Sequence, residues 1–185
     1  QLNWQPPDWL VVPAGNLGNT TAIGKALLEL KKFGLVEKIP KIASIQAQGA
    51  SPFYDLWKNN AVKLTPVEKP DTIATAIKIG NPVNWKNALK AIRETKGLVE
   101  IVSDQQIMDA KAVIDSSGIG CEPASAATLA GVKKLREKNE IKKDEKIVCI
   151  LTGNLLKDPD STIKYHNRQL EKITPHYANE LKELK

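Results

Sequence analysis

Apolar residues in this chain alternate between short unbroken runs and longer stretches with helical spacing. The run WLVVP at 9–13 is β-branched and bounded by turn formers, the pattern of a strand covered on both faces. Gly15, Asn16, Leu17, Gly18 and Asn19 follow as a turn, and the hydroxyls of Thr20 and Thr21 predict a helix N-cap there. Ile23, Leu27, Leu28, Leu30 and Phe33 then recur at helical spacing, and Gly34 stands where a helix takes a left-handed stop. IASIQAQ at 42–48 reads as a second strand, so the chain opens with a parallel strand–helix–strand unit.

From 49 to 83 the pattern weakens. Pro52, Pro66, Pro70 and Pro82 interrupt it, leaving room for one short helix at 54–59 and otherwise for loops that could shape a site. Trp85, Ala88, Leu89 and Ile92 restore a helical face within 84–96, ended by Gly97, and LVEIV at 98–102 reads as a strand. Ser103 and Asp104 can cap a helix over 105–116, closed by Gly118. Glu122 and Pro123 open another helix that ends near 139, its small run ASAATLAG allowing close backbone approach. KIVCIL at 146–151 reads as the clearest buried strand, running into Thr152, Gly153 and Asn154, and a polar helix follows from 159. This alternation predicts an α/β fold: a three-layer sandwich with a mostly parallel sheet over 1–158, followed by a helical tail over 159–185.

Composition bounds the function. A chain of 185 residues with 42% hydrophobic and 26% charged residues can bury a core and is unlike a disordered sequence. The net charge of +6 would permit nucleic-acid binding, but Lys133, Lys134, Lys142 and Lys143 are interleaved with Glu137, Glu140 and Asp144, and aromatics amount to only 5%. Solvated helix faces account for the charge, and no nucleic-acid partner is expected. No run approaches the roughly 18 uncharged apolar residues of a membrane span, and the start lacks the order of a secretory signal; no membrane partner and a cytoplasmic location are expected. Cys121 and Cys149 stand far apart with no CxxC pair or nearby histidine, so buried thiols are expected and no metal site. His166 and His176 read as surface residues of the tail.

The main chemical signal is the 15–19 turn between a strand and a helix. Free backbone N–H groups at the positive end of a helix suit a phosphate. Its glycines match neither the Walker pattern nor the dinucleotide pattern, which leaves a smaller phosphate ester. An ordinary strand-to-helix turn explains the same residues. A second polar turn, at 152–154 after a strand, favours the ligand reading, because ligands of open α/β sheets gather at carboxyl ends of strands.

The segments VPAGNLGN, IATAIKIGNP, CEPASAATLAG and LTGNLLKDP resemble successive motifs of threonine synthases, in order and across almost the whole chain. The resemblance implies a pyridoxal-phosphate enzyme of fold type II, with a large domain like the tryptophan synthase β-subunit. It implies that Gly15, Asn16, Leu17, Gly18 and Asn19 hold the phosphate of pyridoxal 5'-phosphate and that Thr152 faces its pyridine nitrogen, where the rival role is a strand-end cap. It sets Glu122 near the ring, where a first-turn carboxylate serving the helix dipole is the competing reading, with Ser125 and the alanines packing beneath. Lys78 borders the site by the same resemblance, and it departs from the family's usual arginine as Asn154 departs from the usual histidine of TGH.

The family's Schiff-base lysine lies in an S-x-K-D-like element of the N-terminal half. No such element occurs here, neither at Lys157 nor at Lys164. That lysine is expected upstream of Gln1, so the chain reads as an incomplete domain lacking its N-terminal half, inactive alone. The implied parent converts O-phospho-L-homoserine and water to L-threonine and phosphate, and a homodimer is the family's expectation. Alternatives are another fold type II enzyme, such as a threonine dehydratase or a cysteate synthase, or a non-catalytic module that binds pyridoxal phosphate or another phosphate ester.

Overall fold

The computed structural model describes residues 4–168. Its elements are β1 (Trp9–Pro13), α1 (Gly18–Lys32), β2 (Lys41–Ala47), α2 (Pro52–Lys58), α3 (Trp85–Glu94), β3 (Leu98–Val102), α4 (Asp104–Ser116), α5 (Pro123–Glu137) and β4 (Ile147–Cys149). The strands form one sheet in the order β3-β2-β1-β4, and every pairing is parallel. Val11 and Val12 show how the layers arise. Successive strand residues point to opposite faces, so Val11 joins a core with Ala43, Ile45 and the alanines of α5, while Val12 joins one with Ile42, Phe53 and Ile92. Helices α4 and α5 cover one face and α1, α2 and α3 the other, which is the expected three-layer arrangement.

Small residues bring α5 onto the sheet. A side chain at Gly131 would run into Ile45, and Ala126, Ala127, Ser125 and Thr128 are all buried. Helix α4 begins as read: Ser103 accepts from the Gln106 amide at 3.2 Å while the Gln106 side chain accepts from the Ser103 amide at 2.9 Å, a reciprocal capping box. Gly34 and Gly118 adopt φ of 70° and 83°, the left-handed stops expected of them.

Three local readings are corrected. Thr20 and Thr21 do not cap α1, which starts at Gly18; Leu17 occupies the N-cap with no side-chain cap, and the Thr20 hydroxyl lies inside the fold, 2.7 Å from that of Ser44. The helix read over 84–96 and ended by Gly97 stops at Glu94, and the left-handed residue after it is Lys96 at φ 53°. Gly97 is needed instead because β2 passes so closely that a Cβ would strike the Ile42 backbone. KIVCIL is not a buried central strand: only Ile147–Cys149 pairs, at the sheet edge, and these residues are half-buried. Residues 159–168 are helical, and Tyr165 donates its hydroxyl to Asp109 of α4 at 2.6 Å. His166 is exposed; His176 and the remainder of the tail lie outside the described residues.

Candidate functional site

Strand order positions the site. From β1 the chain steps through β2 to β3 in one direction, then returns to place β4 on the other side of β1. In open α/β sheets such a reversal leaves a crevice outside the carboxyl ends of the two strands flanking it. The 15–19 turn leaves β1 there and the 152–154 turn leaves β4. Val11 and Cys149 are register partners, and the Ile150 amide donates to the Val11 carbonyl at 2.9 Å, so the two turns emerge from adjacent strand ends.

The 15–19 turn is shaped by close packing. A Cβ on Gly15 would sit 2.9 Å from the Ala76 carbonyl oxygen and 3.0 Å from Cα of Ile77, so the short turn Thr75–Ile77 presses directly on the backbone. Asn16 clasps the next segment: its Oδ1 accepts from the Val83 amide at 2.9 Å, and its carbonyl accepts from the Asn84 side chain at 3.2 Å. Leu17, buried and at φ 65°, turns the chain into α1. The first amides of a helix have no partner within it. With no side-chain cap at Leu17, those of Gly18 and Asn19 stay available at an exposed surface.

At the second turn one hydroxyl makes three contacts with two residues. Ser125 Oγ accepts from the amides of Thr152 at 2.8 Å and Gly153 at 3.1 Å, and lies 3.0 Å from the Thr152 hydroxyl. Thr152 Oγ1 donates to Glu122 Oε1 at 3.1 Å, and Glu122 Oε2 pairs with Lys157 at 2.8 Å. Glu122 is 3% exposed although ionisable, whereas Thr152 is exposed. The Glu122 carboxylate does not serve the first turn of α5. Glu122 sits at the N-cap without bonding the helix's own amides, and its side chain is turned to β4's end, packed so tightly that a Cβ on Gly153 would strike it. Asn154 accepts from the Leu156 amide at 2.9 Å and bridges to Cys121, so it closes the turn that carries Lys157.

Lys78 pairs with Asp71 at 2.8 Å on the surface, and the backbone beside it, at Ala76 and Ile77, is what meets Gly15. The segment packs against the turn, while the Lys78 ammonium pairs with Asp71. Burial and the negative charge of Asp115 push the Cys121 thiol up to about 11, and burial also raises Cys149, so neither is a thiolate at neutral pH. Ser125 and Asn84 join the site although the sequence carries no motif for them there. Their partners lie 27 and 68 positions away, and the only local signal was polarity inside otherwise apolar or turn-forming segments. Three surface hollows of about 440–480 Å³ lie elsewhere: against α1 and α3, at the amino ends of the strands, and between α4 and α5.

Comparison with known proteins bears on this geometry. Residues 1–153 match the family model described as pyridoxal-phosphate dependent enzyme. The threonine synthase of Methanocaldococcus jannaschii is 48% identical over 165 residues, 89% of this chain and 41% of that protein. That of Methanosarcina acetivorans is 49% identical over 164 residues, 88% of this chain and 40% of that protein. The chain therefore spans about two fifths of the length of these curated relatives. Among solved structures, threonine synthase from Escherichia coli superimposes with TM-score 0.62 at 21% identity, covering 84% of this chain and 35% of that one. A fungal L-serine ammonia-lyase from Rhizomucor miehei gives TM-score 0.65 at 22% identity, covering 83% and 47%. These two likenesses are of fold, that of fold type II. With a parallel sheet whose reversal point carries both polar turns, and with residues 1–153 matching the family model, the chain belongs to the pyridoxal-phosphate dependent enzyme family.

Proposed function

We propose that this chain is the cofactor-holding part of a threonine synthase, whose complete form converts O-phospho-L-homoserine and water to L-threonine and phosphate. The observation that carries the site is the pairing, on adjacent strand ends, of an uncapped helix N-terminus with an exposed hydroxyl. These fit the two ends of pyridoxal phosphate. The open amides of Gly18 and Asn19, with the Gly15–Leu17 backbone held by Asn84 and the Thr75–Ile77 turn, suit a dianionic phosphate at the positive end of α1. Thr152 offers a neutral hydroxyl to the ring nitrogen, braced by Ser125. Glu122 braces Thr152 in turn, while Lys78 takes part only through its backbone neighbours.

When bound, pyridoxal phosphate supplies the electron sink that makes the substrate's α-carbon proton acidic. The residues here hold and orient that group. The lysine that would anchor it covalently and move protons is assigned upstream of Gln1, since Lys157 is engaged with Glu122 and lies past the strand end in no matching motif. Threonine synthase is preferred over a dehydratase because the similarity to the two archaeal threonine synthases runs through nearly the whole chain. The test is release of phosphate and formation of threonine, in equal amounts, from O-phospho-L-homoserine by the complete gene product. Turnover of threonine or phosphoserine without action on O-phosphohomoserine would assign it to a different fold type II enzyme.

A further inference from the structure

Helices α4 and α5 leave a hollow of about 480 Å³ between them. Gln106, Asp109, Ala110 and Val113, at the spacing of one helical face, line it from α4, and Leu129, Ala130 and Val132 add apolar surface from α5. Val113 is 61% exposed there, an apolar side chain left to water beside other apolar groups. The charges on the α5 side are mostly positive, with Lys133, Lys134 and Arg136 against Glu137.

The chain itself arrives at this hollow. The helix at 159–168 reaches α4, where Tyr165 donates its hydroxyl to Asp109, one of the lining residues, at 2.6 Å. Residues 169–185 follow. In their sequence Thr174 and Pro175 make a helix-start pair, a hydroxyl for the N-cap and a proline for the first turn. Beyond them Tyr177, Leu181 and Leu184 keep the spacing of one apolar helical face, flanked by Glu180 and Glu183. Residues 169–174 reach roughly 20 Å when fully extended, ample for a hollow whose rim the chain already touches.

We propose that the C-terminal segment 169–185 seats on the hollow between α4 and α5, with Tyr177, Leu181 and Leu184 against Ala110, Val113 and Leu129. Its glutamates, three residues apart, meet Lys133 and Arg136, which are three residues apart on α5. Covering the hollow removes apolar surface from water and gives the segment the tertiary contact that so short a helix lacks by itself. Nothing in this placement depends on the cofactor site.

The experiment follows a thiol placed in the hollow, Val113→Cys, in the complete gene product. Maleimide labelling at neutral pH is read by mass spectrometry on the peptide that carries position 113. With residues 169–185 in place the expected rate is roughly tenfold or more slower than in a version lacking them, because labelling then waits on local opening. Leu181→Glu, which puts a charge into the apolar face without shortening the chain, should accelerate labelling in the same way. Fast labelling with residues 169–185 intact overturns the proposal without recourse to any tail variant. Labelling that stays slow in Leu181→Glu overturns it too. If it also stays slow in the shortened version, acceleration on dilution assigns the cover to a second copy of the chain, and no dependence on concentration assigns it to another part of the gene product.

Discussion

Two glycines three residues apart in the same turn, Gly15 and Gly18, have opposite reasons to be there. Gly15 is pressed on by the Ala76 carbonyl and Ile77, so Gly15→Ala forces a shift of backbone, whereas a Cβ on Gly18 meets nothing nearer than the Asn84 amide nitrogen at 3.8 Å. Gly15→Ala should cost about 1–3 kcal/mol in urea unfolding, as overpacking does. Gly18→Ala should be neutral or stabilising by up to ~1 kcal/mol, since it starts a helix and restricts the unfolded chain. Equal losses for both would contradict the packing described here. The turn itself was legible in the chain, because glycines and asparagines between a strand and a helix mark one, but an ordinary turn has the same residues, and the four ordered motifs were needed to separate the two. Ser125 was legible only as a small helix residue. Its role as the acceptor of two amides is created by Thr152 and Gly153, brought to it by β4, and no local pattern encodes that meeting. Cys121 gives a further check: with its thiol held up to about 11 by burial, it should resist alkylation at pH 8 in the folded protein and react on unfolding.

At the scale of elements, what could be read locally was read well. The reciprocal cap of α4, the start of α5 at Pro123 and the stops at Gly34 and Gly118 each depend on a few neighbouring residues. The errors fall where a partner decides. KIVCIL is apolar enough for a central strand, yet it has β1 on one side only within the described residues, and remains half-buried. Thr20, expected as a cap, is claimed by Ser44 across the α1–β2 contact. Edge strand β3 carries a comparable long-range tie. Glu100 is 3% exposed and pairs with Lys134 of α5 at 3.3 Å and with Lys138 at the C-cap of that helix, while Lys134 also donates to the Ile101 carbonyl at 2.7 Å. Burial alone would raise the Glu100 carboxyl; the hydrogen bond from Lys138, the Ile101 amide and Lys134 outweigh it, and it lies below its ordinary 4.5. A carboxyl lowered in the folded state adds stability that is present above its unfolded value and is lost as pH falls through the folded one. Glu100→Gln should therefore cost about 1–3 kcal/mol at neutral pH, and the deficit should shrink progressively below pH 4.5. A deficit independent of pH would assign the loss to shape and not to charge.

At the scale of the whole molecule, fold class and family were legible from the order of four short motifs; three of them fall on ends of strands or helices, and IATAIKIGNP lies in the segment between α2 and α3 that packs on the first of them. The resemblance already assigned Gly15 and Thr152 to one cofactor, but that their strands are neighbours came from the sheet order, because 137 residues of sequence separate ends that lie side by side. The chain alone spans about two fifths of its curated relatives, and no lysine in it stands in the motif expected of the covalent anchor. Purified by itself with added pyridoxal phosphate, it should give no borohydride-reducible visible absorbance, while the complete gene product should. A reducible adduct on Lys157 or Lys164 would move the anchor into this chain. The central claim, that the 15–19 turn and Thr152 together hold the cofactor, is tested most directly by a crystal structure of the complete gene product with pyridoxal phosphate. The account predicts the phosphate within hydrogen-bond distance of the amides between Gly15 and Asn19, with the ring nitrogen against the Thr152 hydroxyl. A phosphate bound to any other element, or a ring nitrogen turned away from Thr152, would contradict it.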